Sequence, residues 1–489
     1  MQTLTTDASC LNKNNDTQTP EKNKTSELFP SRLLGFGVFN AWSSLAVSLE
    51  IKLDIASLSS SIGRLFLLSL FTLLGYLFVA IFVHRTGRNI WTRTVFLTCA
   101  VLSVLFPILE FAAATFELFF LDIAAIVCYS VATVGFFLMW AVQISAHPPK
   151  TAFVAYSASF ALSACIYFLV KALGTPIFFA ALILLPILSC WLLHLSSRLP
   201  LPKTPENDST IQWRIPWRPM ALVVIFTLAF GLVTHFEGNA MVPSEFGRLL
   251  SGLIVLVATL TAFLKMEATT LAKISSLLVV GALLWCEIHG PESGLGVGKL
   301  LISVGYFGFL LFVLCTLSEI CFSYRARPEW LFGIVQASSV IMTAPSGQLG
   351  NVIRESFMAG NTYLGEGALA ALVLAVMAAC MFLLTENPFA AAWGIKAFRR
   401  TDNGESEPVE IGNHLQNQIY RCALIARQYG LTHREEEVLA LLAENKSFIE
   451  IETDLVIAHG TLRAHVQHLY EKLDVHSKQE VLDFVNNWE

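Results

Sequence analysis

The sequence predicts an all-α polytopic membrane protein that ends in a small polar helical domain. Two observations carry this assignment. Of the 489 residues, 55% are hydrophobic and only 14% are charged, with 36 Phe, far from the average for soluble domains. Apolar windows of the roughly 20 residues needed to cross a bilayer recur about twelve times before residue 386, after which the composition turns polar.

Residues 1–32 are polar and lack the apolar centre of a cleavable signal, so they read as a disordered cytoplasmic tail. Windows at 33–50, 65–83, 94–111, 119–142, 151–171 and 176–195 make a first six-span half, 33–195. Windows at 219–236, 247–264, 270–288, 299–321, 331–349 and 367–385 make a second, 219–385. Between them, 196–218 is Pro-rich and too long for a hairpin loop, which marks a cytoplasmic linker. With the N-terminus in the cytoplasm, nineteen Lys and Arg up to Arg400 fall on the cytoplasmic side and six on the other. That asymmetry sets the orientation in the cytoplasmic membrane, and an even span number brings the C-terminus back to the cytoplasm.

Two six-span halves joined by a long cytoplasmic linker resemble the major facilitator superfamily. The stretch "HRTGRN" at 84–89 is similar to that family's D-R-x-G-R-K signature, with Arg85, Gly87 and Arg88 matching and His84 in place of the Asp. The resemblance covers roughly 33–385. The departure at His84 weakens any transport-type gating, because the family's carboxylate belongs to a cytoplasmic charge network.

Residues 386–430 form a connector. "RRTDNGESEPVE" reads as flexible, and the following residues as an amphipathic helix with Ile411, Leu415, Ile419, Cys422 and Ile425 near one stripe and Gly430 as its stop. Residues 431–489 parse into four short helices. Thr432-x-x-Glu435, Ser447-x-x-Glu450 and Ser477-x-x-Glu480 are three capping boxes. In "HGTLRAHVQHLYEKL", residues 459–473, Leu462, Val466, Leu469 and Leu473 form one apolar stripe and leave polar side chains on the other faces. Short helices around one core with a tight "VIAHG" turn describe a helix-turn-helix unit.

The whole run is similar to the LuxR-type DNA-binding domain. Leu431, Thr432, Arg434, Glu435, Glu437, Val438, Leu439, Ile451, Leu455, Thr461, His465, Lys472, Leu473, Val475, Ser477 and Glu480 match its pattern, with Leu462 for Val and Arg463 for Lys. The resemblance implies that the third helix enters the major groove and that the last supports a homodimer on double-stranded DNA. Carried over, Thr461 and Arg463 contact base edges or phosphate, His465 the backbone, and Lys472 a phosphate or a structural carboxylate. The candidate DNA-contacting set is Thr432, Thr461, Leu462, Arg463, His465, Gln467 and Lys472. Phe448 and Ile449 replace an Asn-Lys pair, and Ala458 replaces the Ser that caps the third helix, at a cost of roughly 1 kcal/mol. Five Lys and Arg against twelve carboxylates leave 431–489 at −7, so one domain alone binds phosphate weakly and in a salt-sensitive way.

Charge inside a span is expensive and faces a cavity or a partner. Asn40, Trp42 and Glu50 on the first span, with His235 and Glu237 at the end of the seventh, either form an outward-facing ligand site between the halves or lie at the water interface. Asp122, within the fourth span, must be paired or protonated. Ten Cys without CxxC or zinc spacing predict neither metal nor disulfide frame. No phosphate-cradling glycine loop or nucleophile–base pair appears, so no enzyme and no cofactor is expected. The function that fits is a membrane-bound transcriptional regulator, in contact with lipid, whose transporter-like domain senses a small molecule. The alternative is a secondary transporter with an appended regulatory domain.

Overall fold

The computed structural model describes residues 31–52, 61–86, 91–197, 211–213, 217–238, 243–261, 268–291, 296–324, 326–360, 362–383, 397–400 and 406–409, and 422–486 with short gaps. The tail 1–30, Gly87 and Arg88 of "HRTGRN", and residues 411–420 of the amphipathic stretch lie outside the described residues, as does the side chain of Glu50.

After a 3-10 turn at Ser31–Leu34, twelve long helices follow: α1 Gly35–Lys52, α2 Ser61–Thr86, α3 Arg93–Phe116, α4 Phe119–Ser145, α5 Pro149–Leu173, α6 Thr175–Ser196, α7 Trp217–Phe236, α8 Ser244–Thr261, α9 Ala268–His289, α10 Val297–Tyr324, α11 Pro328–Met358 and α12 Thr362–Leu383. Each overlaps one apolar window. Among the described residues, eight are long and apolar enough to cross a membrane, namely α2 to α7, α9 and α10. α11 falls short of that apolarity because its sequence carries Ser338, Ser339, Thr343, Ser346, Gln348 and Asn351. Several of these face the bundle, and Ser339 Oγ shares a hydrogen bond of 3.1 Å with Thr227 Oγ1 of α7.

Helices of one set of six pack against helices of the other, α2 on α11 and α5 on α8. Small hydroxyls lace this seam. Ser318 Oγ of α10 lies 2.9 Å from Ser145 Oγ and 3.1 Å from the Tyr156 hydroxyl, and His84 stacks on Trp330 at 5.6 Å between ring centres. α4 and α10 are the most enclosed, with 72% of their apolar windows buried, against 22% for α2 and 28% for α3. The exposed faces of α2 and α3 carry Phe66, Phe78, Val101 and Phe111. Such an apolar exterior on hydrogen-bonded helices is what a lipid environment selects.

The chain is not wholly helical. β1 Ile211–Trp213, β2 Ala397–Arg400 and β3 Ser406–Val409 form an antiparallel sheet in that order, with Gln212 opposite Phe398 and Arg399 opposite Glu407. The linker between α6 and α7 therefore pairs with the connector after α12. This corrects the reading of "RRTDNGESEPVE" as simply flexible. Strands of three or four residues carry almost no period-2 signal, and their partner lies far off in sequence.

The polar end of the chain forms α13 His433–Ala443, α14 Phe448–Leu455, α15 His459–Leu473 and α16 Lys478–Asn486. They share one core of Val438, Leu439, Leu442, Ile451, Leu462, Val466, Leu469, Leu473, Val475, Val481 and Val485. Cys422 and Ile425 belong to it too, and Tyr429 packs edge-on against Phe484 at 5.8 Å. The end of the amphipathic stretch is thus part of this domain's core rather than a separate rod. It stops where expected. Gly430 has φ +62°, and the Leu431 N–H reaches back to the Ala426 carbonyl at 2.8 Å, a Schellman closure.

Candidate nucleic-acid interface

Caps fix where each short helix begins. The Thr432 N–H donates to Glu435 Oε2 at 2.7 Å while the Glu435 N–H donates to Thr432 Oγ1 at 3.3 Å, and Ser447 and Glu450 repeat the exchange at 2.7 and 3.4 Å. The third box is modified. The Glu480 N–H donates to Ser477 Oγ at 3.2 Å, but the Glu480 carboxylate takes the N–H of His476 at 2.8 Å.

Glu435 also ties α13 to α15. It is buried to 3% exposure, and Lys472 Nζ donates to its Oε2 at 2.7 Å and to the Gly430 carbonyl at 3.0 Å. Burial alone raises the Glu435 carboxyl, but the hydrogen bonds from Lys472 and Thr432 and the Lys472 charge outweigh it and hold the group at about 2. Two members of the candidate DNA set are thereby occupied within the domain. Thr432 is a helix cap, and Lys472 takes the structural-carboxylate role.

α15 presents the rest. Its stripe of Leu462, Val466, Leu469 and Leu473 faces inward. Leu462 is 1% exposed, which corrects its assignment as a DNA contact, because a side chain in the core has no face left for a base. Thr461, Arg463 and Gln467 are exposed and His465 is half-buried. Residues two apart do not share a helix face, so Thr461 with His465 and Arg463 with Gln467 form two i,i+4 pairs on either side of the apolar stripe. Gln467 Nε2 donates to Glu471 Oε1 at 3.1 Å, an interaction within α15. Arg463, with Phe448, His459 and the edges of Leu462 and Val466, lines a shallow cavity of about 200 Å³. The exposed Phe448 ring makes its wall apolar.

Ala458 stands at the N-cap of α15 with extended backbone, φ −72° and ψ 151°, and no side-chain hydrogen bond. Ala458→Ser is expected to raise the domain's stability by about 1 kcal/mol, measured by urea unfolding of a fragment that retains Cys422 and Ile425.

Two of the candidate ligand residues are engaged inside the helical bundle. Trp42 is fully buried among Phe39, Phe106, Tyr129 and Phe136, and its Nε1–H donates to the Leu182 carbonyl at 3.1 Å. Glu237 is 4% exposed and caps α10, accepting the Gly298 N–H at 3.1 Å and the Lys299 N–H at 2.8 Å. Neither is available to a ligand, which corrects both assignments. Asn40 donates to the Phe36 carbonyl at 3.0 Å, and His235 Nδ1 lies 2.8 Å from the Gly231 carbonyl. Both are half-buried. Sequence reasoning missed Arg248 of α8, which lies 2.9 Å from Glu245, donates to Ser44 Oγ of α1 at 2.5 Å and sits 4.5 Å over the Phe307 ring. Its neighbours come from three helices, so no local spacing signals it.

Residues 430–485 match the family described as bacterial regulatory proteins, luxR family. The chain is 33% identical over 95 residues to the transcriptional regulatory protein DesR of Bacillus subtilis, covering 18% of this chain and 48% of that one. It is 37% identical over 65 residues to the uncharacterized response regulatory protein YgeK of Escherichia coli, covering 12% of this chain and 44% of that one. It thus spans under half the length of these relatives. Among solved structures it is similar to the major facilitator superfamily transporter FucP, with TM-score 0.51 and 11% identity over 73% of this chain and 99% of that one. A bacterial homologue of the iron transporter ferroportin gives TM-score 0.52 and 13% identity, over 72% and 100%. Residues 430–485 thus match the luxR family of bacterial regulatory proteins, and the long helices before them share the fold of major facilitator transporters.

Proposed function

We propose that this protein is a membrane-bound transcriptional regulator whose twelve helices span the cytoplasmic membrane as two six-helix halves, with both termini in the cytoplasm. Its membrane domain senses a small molecule and controls the DNA-binding domain. The observation that supports this most directly is α15. It turns its apolar stripe into the core and keeps Thr461, Arg463, His465 and Gln467 on its outer faces, as a helix that reads the major groove must. Arg463 contacts a guanine edge or a phosphate, and Thr461, His465 and Gln467 flank it.

The −7 charge of 431–489 opposes single-domain binding, so a homodimer on two half-sites supplies the affinity. Asn40, Glu50 and His235 remain the ligand-facing candidates of the original set. Chromatin immunoprecipitation of the tagged full-length protein, with and without candidate ligands, tests the reading. Ligand-dependent enrichment at discrete sites supports it, and a flat profile under every condition overturns it.

Arg463→Ala is expected to weaken operator binding by about 1–3 kcal/mol while leaving the melting curve unchanged, since the side chain is exposed. Equal gel shifts for variant and wild type at low salt would contradict the assignment of α15. The major facilitator fold also favours a second reading, a secondary transporter with an appended regulatory domain, and uptake into vesicles distinguishes it.

A further inference from the structure

Three charged side chains are sealed in the membrane domain away from the residues discussed above. Arg64 lies in the first turn of α2, Glu110 near the end of α3 and Asp122 in the first turn of α4. Their exposures are 6%, 1% and 0%. Arg64 Nη2 pairs with Glu110 Oε1 and lies 3.1 Å from Asp122 Oδ1. One guanidinium nitrogen thus serves two carboxylates from two other helices. Asp122 is paired, as its position in a span requires, but one positive charge does not balance two negative ones.

With both carboxyls ionised they carry one more negative charge than the guanidinium between them cancels, enclosed by apolar helices. A buried group in that position neutralises rather than remain charged. The oxygens carry the same imbalance. Glu110 Oε2 and both Asp122 carboxylate oxygens are buried and accept no hydrogen bond. Among the described residues no second cation pairs with either carboxylate: Lys171 at the end of α5 lies over the Tyr167 and Phe178 rings, and Lys299 at the start of α10 donates to the Gly238 carbonyl. On α2, His84 and Arg85 lie about 30 Å along the helix from Arg64, and Arg93 starts α3 about 25 Å from Glu110. His194 ends α6, Glu117 at the α3–α4 turn is exposed, and on α11 Arg354 lies against Gly238 while Glu355 is exposed.

We infer that the Arg64–Glu110–Asp122 cluster is a proton-binding site of the membrane domain, holding one proton on its two carboxyl groups. Uptake forms one O–H bond on a carboxylate oxygen not engaged by Arg64, with the proton drawn from water at that end of the bundle. The cluster's charge goes from −1 to zero, and no other bond changes. The occupied site holds α2, α3 and α4 together, and loss of the proton leaves a repelling carboxylate pair between them. The membrane domain therefore responds to pH at a place separate from any small-molecule site.

Infrared difference spectroscopy on the full-length protein in nanodiscs at neutral pH tests this. Wild type minus Asp122→Asn is expected to show the carbonyl stretch of one protonated carboxylic acid per chain, shifted in deuterium oxide. Wild type minus Glu110→Gln should show the same band, since either substitution leaves a one-to-one pair with Arg64. A difference spectrum showing only carboxylate bands overturns the proposal. So does a band present in choline chloride but abolished by sodium chloride, which would make the ligand a metal cation. If both variants fail to fold, wild type alone decides. A deuterium-sensitive carboxylic acid band that titrates away as pH is raised supports the site, and no such band at any pH overturns it.

Discussion

Leu462→Ala is expected to destabilise the DNA-binding domain by about 2–5 kcal/mol, the range for removing a fully buried leucine side chain. Leu462 is 1% exposed and shares the stripe of α15 with Val466, Leu469 and Leu473, against a core that draws on α13, α14, α16 and the stretch holding Cys422 and Ile425. A small domain holds on the order of 5–15 kcal/mol in total, so the loss takes much of its stability. DNA binding fails with it, but through unfolding, and the unfolding midpoint in urea falls in parallel. Arg463→Ala, one residue along, separates the two effects by losing binding at constant stability. If Leu462→Ala keeps the wild-type midpoint, the inward orientation of α15 is wrong.

Glu435→Gln is expected to cost roughly 2–3 kcal/mol, the order implied by a carboxyl held at about 2 against its ordinary 4.5. The amide loses the ion pair with Lys472 and weakens the acceptor for the Thr432 N–H. Because the folded-state value is depressed, this stabilisation is fully present above about pH 4.5 and disappears as pH falls towards 2. Wild type should therefore lose stability across that window, and Glu435→Gln should show a correspondingly flatter curve there. Parallel curves would assign the acid sensitivity elsewhere. Glu450 and Glu480 are also held low, by the backbone N–H groups of Ser447 and His476, but they are exposed and add little.

What could be read in the sequence was local. An apolar run long enough to span a bilayer announces a helix by itself, and a capping box needs only four residues, so Thr432, Ser447 and Ser477 all mark helix starts. The roles that went astray depend on partners remote in the chain. Glu237 looks like an interfacial charge until α10, some sixty residues on, places its N-terminus against it. Trp42 looks like a ligand stack until α6 supplies the Leu182 carbonyl. Asp122 announced its need for a partner, but nothing near it named Arg64 or Glu110. Leu462 differs, since its place in the inward stripe was visible, and the family motif drew it into the contact set.

The sheet of β1, β2 and β3 makes the chain after α12 something other than a leash. Residues 397–400 are fastened to 211–213, the segment that bridges α6 and α7. A rocking motion of one six-helix set against the other would bear on this clasp before it reached the DNA-binding domain. The clasp holds by a few backbone hydrogen bonds, each of net worth about 0.5–1.5 kcal/mol. Its opening therefore costs on the order of the 1–3 kcal/mol that typically couples two distant sites. Under the regulator reading proposed above, opening such a latch would free the strand residues and lengthen the tether to α15.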